Sequence, residues 1–158
     1  MSQYSPPLTF LAASRHASLA RLLQREINLR GHTAIIAENA EDAQAMAGSI
    51  LLDLVLLDSC SIGDDVLETA RHLLAIRSIP ILMLAPSPEE VARARTGGVE
   101  ISGCLLKPFT TQRLWSAIWD ALAAHSGSQP DFSLRPFDQT SIPFGLQRAE
   151  TPALSFAR

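Results

Sequence analysis

The stretch LLDLVLLD carries four apolar residues in a row, Leu54, Val55, Leu56 and Leu57, and then stops at Asp58. Side chains along a strand alternate between two faces, so an unbroken apolar run leaves neither face for water. Such a strand needs cover on both sides, as in a parallel sheet lying between helices. A second unbroken run stands at 81–84, and mainly apolar segments read as further strands stand at 8–13, 32–37 and 101–106. Segments with helical spacing of apolar residues separate them, at 16–29, 39–47, 65–74, 88–95 and 111–124. Strand and helix thus alternate five times, which predicts an α/β sandwich of five parallel strands joined by right-handed crossovers.

Local chemistry marks the element ends. Pro6 and Pro7 delay the first strand, because neither can donate to a ladder. Leu19, Leu22, Leu23 and Ile27 form the stripe of the first helix, and Gly31 ends it. Asn39 is expected to cap the second helix, which runs through Ala47, with Gly48 loosening its end. Gly63 marks the loop after Asp58. Asp64 or Asp65 starts the third helix, whose stripe is Val66, Leu67, Ala70, Leu73 and Leu74. Ser87, Pro88, Glu89 and Glu90 place a cap, a first-turn proline and two acids in order, a strong helix start. Gly97 and Gly98 stop that helix.

On the fifth helix Leu114, Ile118 and Leu122 should face the sheet, with Ala121 widening the stripe. Trp115 and Trp119 stand about 100° round from it. Paired indoles beside a core stripe suggest a contact surface, since tryptophan concentrates at interface centres. The occupant could be a second copy, another protein or the chain's own tail. The alternative is an enlarged core edge with both rings inside.

The chain of 158 residues is therefore read as one α/β domain over 1–125 and a tail over 126–158. The tail holds Pro130, Pro136, Pro143 and Pro152, too many for a long helix. It also holds Phe132, Phe137, Phe144 and Phe156, more aromatic surface than a spacer needs. It is expected to be extended or disordered, or to lie on its own domain or a partner. Charged residues make up 18%, below the usual level of about 25%, so part of the surface is free for a partner. The net charge is -3 and no basic block exists, which argues against nucleic acid as the main partner. Cys60 and Cys104 are too few for a disulfide framework. No apolar run spans a bilayer and the N-terminus does not read as a signal peptide, so a cytoplasmic location without membrane attachment is expected. The four histidines, His16, His32, His72 and His125, lack metal-ligand spacing.

Two buried strands ending in opposite charges, Asp58 and Lys107, should present those charges at one sheet edge, where open α/β sheets carry their sites. Taken with Gly63 and Asp65 in the loop, the Ile79-Pro80-Ile81 entry to the fourth strand and Leu106-Lys107-Pro108-Phe109 after the fifth, the chain from about 8 to 124 resembles a response regulator receiver domain of two-component signalling. The resemblance implies a flavodoxin-like fold with strand order 2-1-3-4-5. It also implies a phosphoacceptor role for Asp58, phosphate contact by Lys107, and signalling through helix four, strand five and helix five.

The departures point to a degenerate receiver. Where the family has an acidic pair after strand one, this chain has Ser14 and Arg15, and nothing from Thr9 to Leu23 is acidic. Where the family has a switching Ser or Thr after strand four, Ala85 stands, followed by Pro86. Where it often has a rotating aromatic on strand five, Cys104 stands, here taken as part of the interface. The loop proline after the phosphoacceptor is replaced by Ile62.

With the acids gone, Asp58 and the carbonyl of Cys60 make a poor Mg2+ site. Ser14 adds a neutral hydroxyl at best. Arg15, if turned inward, would bring a fixed positive charge to Asp58. No metal or cofactor is therefore expected, and no enzymatic activity. The leading reading is an atypical receiver acting as a regulatory protein–protein interaction module, its conformation set by a partner. That partner would be a histidine kinase, another signalling protein, or a second copy docked through helix four, strand five and helix five. Three alternatives stay open: a working phosphoacceptor on Asp58, a small nucleotide-binding or enzymatic flavodoxin-like protein, and the regulatory domain of a transcription or RNA-binding regulator. The second lacks a glycine-rich phosphate loop after strand one. The third lacks a helix-turn-helix pattern in the tail.

Overall fold

A computed structural model describes residues 6–60 and 65–126. The elements alternate as the sequence predicts: β1 (Thr9–Ala13), α1 (Ala17–Leu29), β2 (Thr33–Ala37), α2 (Ala40–Ser49), β3 (Leu54–Asp58), α3 (Val66–Ile76), β4 (Ile81–Ala85), α4 (Pro88–Thr96), β5 (Gly103–Leu106) and α5 (Thr111–Ser126). The strands form one five-stranded sheet in the order β2-β1-β3-β4-β5. The chain divides into two compact units at Ile79 and Pro80.

In the first unit β1 lies between β2 and β3, parallel to both, with Phe10 opposite Ala34 on one side and Leu54 on the other. Phe10, Leu11 and Ala12 and all of β3 are fully buried, as two-sided cover requires. Ala20, Leu23 and Ile27 are the buried stripe of α1. Leu22, expected in that stripe, is instead 43% exposed. Residues 22 and 23 stand about 100° apart on a helix, and one flat contact accommodates only one of them. Asn39 caps α2 through Asp42 N–H. This helix runs through Gly48 to Ser49, past the expected end, and a Cβ at Gly48 would meet nothing within 4 Å. Asp65 starts α3 by accepting from the N–H groups of Leu67 and Glu68. Asp64, Ile62 and Gly63 lie outside the described residues.

The strand entrances of this unit are tied by side chains. Asp53 Oδ2 accepts from Thr9 N–H at 2.7 Å, and His32 Nδ1 accepts from Leu8 N–H at 3.0 Å. The His32 ring also meets Phe10 edge-on, with centroids 5.7 Å apart. Desolvation, with help from nearby Arg30 and against the pull of Asp53, lowers the His32 pKa below its ordinary value. That fits a neutral ring whose Nδ1 lone pair is engaged.

In the second unit β4 pairs with β5 in parallel register, Met83 opposite Cys104. All of β4 is buried. Ser87 caps α4 with Pro88 in the first turn, and Gly97 follows its last residue. β5 begins at Gly103, two residues later than expected. Ser102 instead lends its Oγ to Ile81 N–H at 3.2 Å and its own N–H to the Ile81 carbonyl. α5 packs on β4 and β5. Leu114 and Ile118 are fully buried, and Leu122 is half-buried.

Candidate functional site

The carboxyl end of β3 is the chemical centre of the first unit. Asp58 is 0% exposed although it is the strand's only charged residue. A buried carboxylate is tolerated only when its oxygens find donors. The hydroxyl of Ser14 donates to Oδ2 at 2.8 Å, and the N–H of Cys60 donates to Oδ1 at 3.2 Å.

Ser14 reaches this place because β1 pairs with β3, with Ala13 opposite Leu57, and the next residue of each strand carries the polar group. Its backbone N–H donates to the Ala37 carbonyl at 2.9 Å, fixing the exit of β1 against β2. Its Oγ accepts from His16 N–H at 3.1 Å. A hydroxyl has one proton, so accepting from His16 leaves that proton for Asp58. Ser14 is thus an oriented neutral donor, 1% exposed, that satisfies one oxygen of the buried acid. Arg15 beside it is exposed, and His16 occupies the N-cap position of α1. Asp65, the next described acid, spends its Oδ1 on the α3 cap.

The second unit presents the ends of β4 and β5. Ala85 is fully buried, and its carbonyl accepts from Lys107 N–H at 2.8 Å, so Lys107 leaves β5 level with the end of β4. Lys107 is half-buried, and its bond to Pro108 is cis. Ala85 ends in a methyl group and has no proton to donate. Arg93, on the exposed side of α4, pairs with Glu90 at 3.1 Å.

Cys104 and Trp115 were expected on a contact surface, yet both are only 3% exposed. The Trp119 ring is half-buried, its centroid 5.9 Å from that of Trp115. Burial pushes the Cys104 thiol up to about 12, against a weaker lowering by Arg95. Cys60 is exposed. In the native protein at pH 8, iodoacetamide is therefore expected to add one carbamidomethyl group, at Cys60, and to reach Cys104 only after denaturation. Intact mass with peptide mapping reads this directly, and prompt native labelling of Cys104 would contradict its burial. Sequence reasoning missed two buried polar residues on α5, Ser116 and Asp120. The available signal was that Asp120 is the single charged residue between Leu114 and Ala124.

No protein-family model matches the chain. It is 28% identical over 104 residues to the transcriptional regulatory protein ResD of Bacillus subtilis, covering 66% of this chain and 43% of that protein. It is 29% identical over 110 residues to the phosphate regulon transcriptional regulatory protein PhoB of Pseudomonas aeruginosa, covering 67% and 48%. The chain spans less than half the length of these curated relatives. Among solved structures, it superposes on the N-terminal domain of a response regulator/sensory box/GGDEF protein from Carboxydothermus hydrogenoformans with a TM-score of 0.65. The identity there is 26%, covering 75% of this chain and 97% of the other. Relatives and structures support one family, the response regulator receiver domain. The receiver strand order is the one found here, and Asp58 closes β3 where the resemblance places the phosphoacceptor. Among the described residues no helix is long and apolar enough to cross a membrane.

Proposed function

We propose that this receiver is an atypical one, working as a signalling protein–protein interaction module without Mg2+-assisted phosphorylation. The observation that carries the reading is the donor set around Asp58. Mg2+ wants about six oxygen ligands in octahedral array, and carboxylates and waters usually provide them. Here the two Asp58 oxygens face an O–H and an N–H donor, and the oxygen beside them belongs to a neutral serine that already accepts from His16. That set is a poor fit to a divalent cation. Among the described residues no group of three His, Cys, Asp or Glu could hold a metal ion. Ala85 stands where the resemblance implies a switching Ser or Thr, and its side chain offers no hydroxyl.

In this reading Ser14 and the Cys60 N–H hold the Asp58 carboxyl group in one conformation without a phosphoryl group. The partner is a signalling protein, such as a histidine kinase, or a second copy engaging α4, β5 and α5. Incubation with acetyl phosphate, with and without Mg2+, beside an Asp58→Asn control, tests the reading by intact mass. No gain is expected under conditions that label an ordinary receiver. A Mg2+-dependent gain of one phosphoryl group that disappears in the control would overturn it and restore Asp58 as a working phosphoacceptor.

A further inference from the structure

The outermost strands of an open sheet offer backbone N–H and C=O groups with no neighbour in the ladder. Here those strands are β2 and β5. Proteins usually blunt such an edge with charge, proline or a short strand. β5 has these devices, with four residues, a glycine at its start and Lys107 and Pro108 at its end. β2 has none of them. Its five residues, TAIIA, hold no charge, glycine or proline, and threonine and isoleucine favour strands. Thr33 is exposed, and Ile35 and Ile36 are half-buried. Two backbone bonds fix which way the strand faces. Thr33 N–H donates to the Leu8 carbonyl, and the Ala37 carbonyl accepts from Ser14 N–H, so both residues face β1. Backbone groups alternate sides along a strand, so Ala34 and Ile36 turn theirs away from β1. Among the described residues no strand pairs with that outer side. The Ala34 carbonyl there accepts from the Gln24 side chain at 3.5 Å and keeps a second lone pair. Charge is ordered along the same edge. Arg30 and His32 precede the strand, and Glu38 follows it, with Glu41 and Asp42 in the first turn of α2. Arg30 and Glu38 are both exposed.

We propose that a second copy of this chain pairs with β2 edge to edge, the two strands running antiparallel. An edge that begins basic and ends acidic is complementary to itself when turned end for end, which is what a twofold axis does. A parallel pairing would set like charges against like. The outward backbone groups choose the register. Ala34 of each copy lies opposite Ile36 of the other, with the twofold axis beside Ile35, and each such pair exchanges both of its N–H···O bonds. That register also sets His32 opposite Glu38 and Arg30 diagonal to Glu38, once at each end. So few residues make a small interface, and its strength falls in the micromolar range. The β2 edge is distinct from the α4, β5 and α5 surface, and its pairing does not depend on whether Asp58 is phosphorylated.

Sedimentation of the full chain from about 1 to 500 µM tests this, with the average mass expected to climb from one chain towards two. Glu38→Arg and Arg30→Glu each set like charges together at both ends of the pair. Each is expected to weaken self-association by about tenfold or more. Mixed in equal amounts, the two variant chains are expected to regain the dimer of the parent, because every charge then meets its opposite. Ile36→Pro removes an outward N–H that β1 does not use, and it is expected to leave a monomer with the far-UV circular dichroism kept. Should the proline prevent folding, the two charge variants decide alone. A parent that stays at the mass of one chain throughout would overturn the proposal. So would a dimer that both charge changes leave intact, since the copies would then meet elsewhere, or a mixture no more associated than its components.

Discussion

Replacing Ser14 with aspartate is expected to lower stability at pH 7 by about 3–4 kcal/mol in chelator, and millimolar Mg2+ is expected to restore most of it. Ser14 Oγ sits 2.8 Å from a carboxylate that is fully buried. A second carboxylate there faces the first in a medium that screens poorly, and one of the two takes up a proton instead of ionising. Each unit by which its folded pKa rises costs about 1.4 kcal/mol at neutral pH, and a rise of two to three units gives the quoted loss. The raised folded pKa makes the folded state bind more protons than the unfolded one. The loss therefore grows as pH rises from the ordinary carboxylate range through the folded value, and it nearly vanishes in acid. The same change supplies the second acid that a hard cation needs. Mg2+ at a hundred times its dissociation constant would return about 2.7 kcal/mol. Urea denaturation of both chains, in chelator and in Mg2+, reads all of this. A variant as stable as its parent in chelator, or a parent that itself gains stability from Mg2+, would sink the account of the site.

Removing the acid altogether should also be costly. Asp58→Ala strips the acceptor from the Ser14 hydroxyl and from the Cys60 N–H and leaves a small void beside β3. An orphaned buried donor costs about 1–3 kcal/mol, so a loss of about 2–5 kcal/mol is expected by urea denaturation at pH 7. Asp58→Asn keeps one carbonyl oxygen and much of the volume, and roughly half of that loss should return. If alanine instead leaves the midpoint unchanged or raised, Asp58 is a strained residue kept for chemistry, and the structural role given to it here falls.

Much of the fold was legible because its signals are local. The caps Asn39, Asp65 and Ser87 are short side chains that reach N–H groups two or three residues on, so chain order alone carries them. The run 54–57 announces a doubly covered strand by composition. What was not legible depends on residues distant in sequence. Nothing near Leu22 says that α1 turns it outward while Leu23 packs. Nothing near Ser14 says that His16 fixes its lone pair and so commits its proton to Asp58, forty-four residues away. Trp115 looked like a surface anchor because its neighbours in sequence do not include whatever encloses it. The site residues were named from resemblance, and the geometry adds the direction of the Ser14 hydrogen bond.

The lacing of β1 has a mechanical consequence. At its entrance Leu8 N–H is bonded to His32 and Thr9 N–H to Asp53, while at its exit Ser14 bonds Ala37 through the backbone and Asp58 through the hydroxyl. A slip of one residue would break all four bonds at once and turn Phe10 to the opposite face. The strand is a keyed shaft and cannot serve as a piston. A message crossing this unit must travel through rotating side chains or shifting helices, because β1 has no neighbouring register into which it could slide.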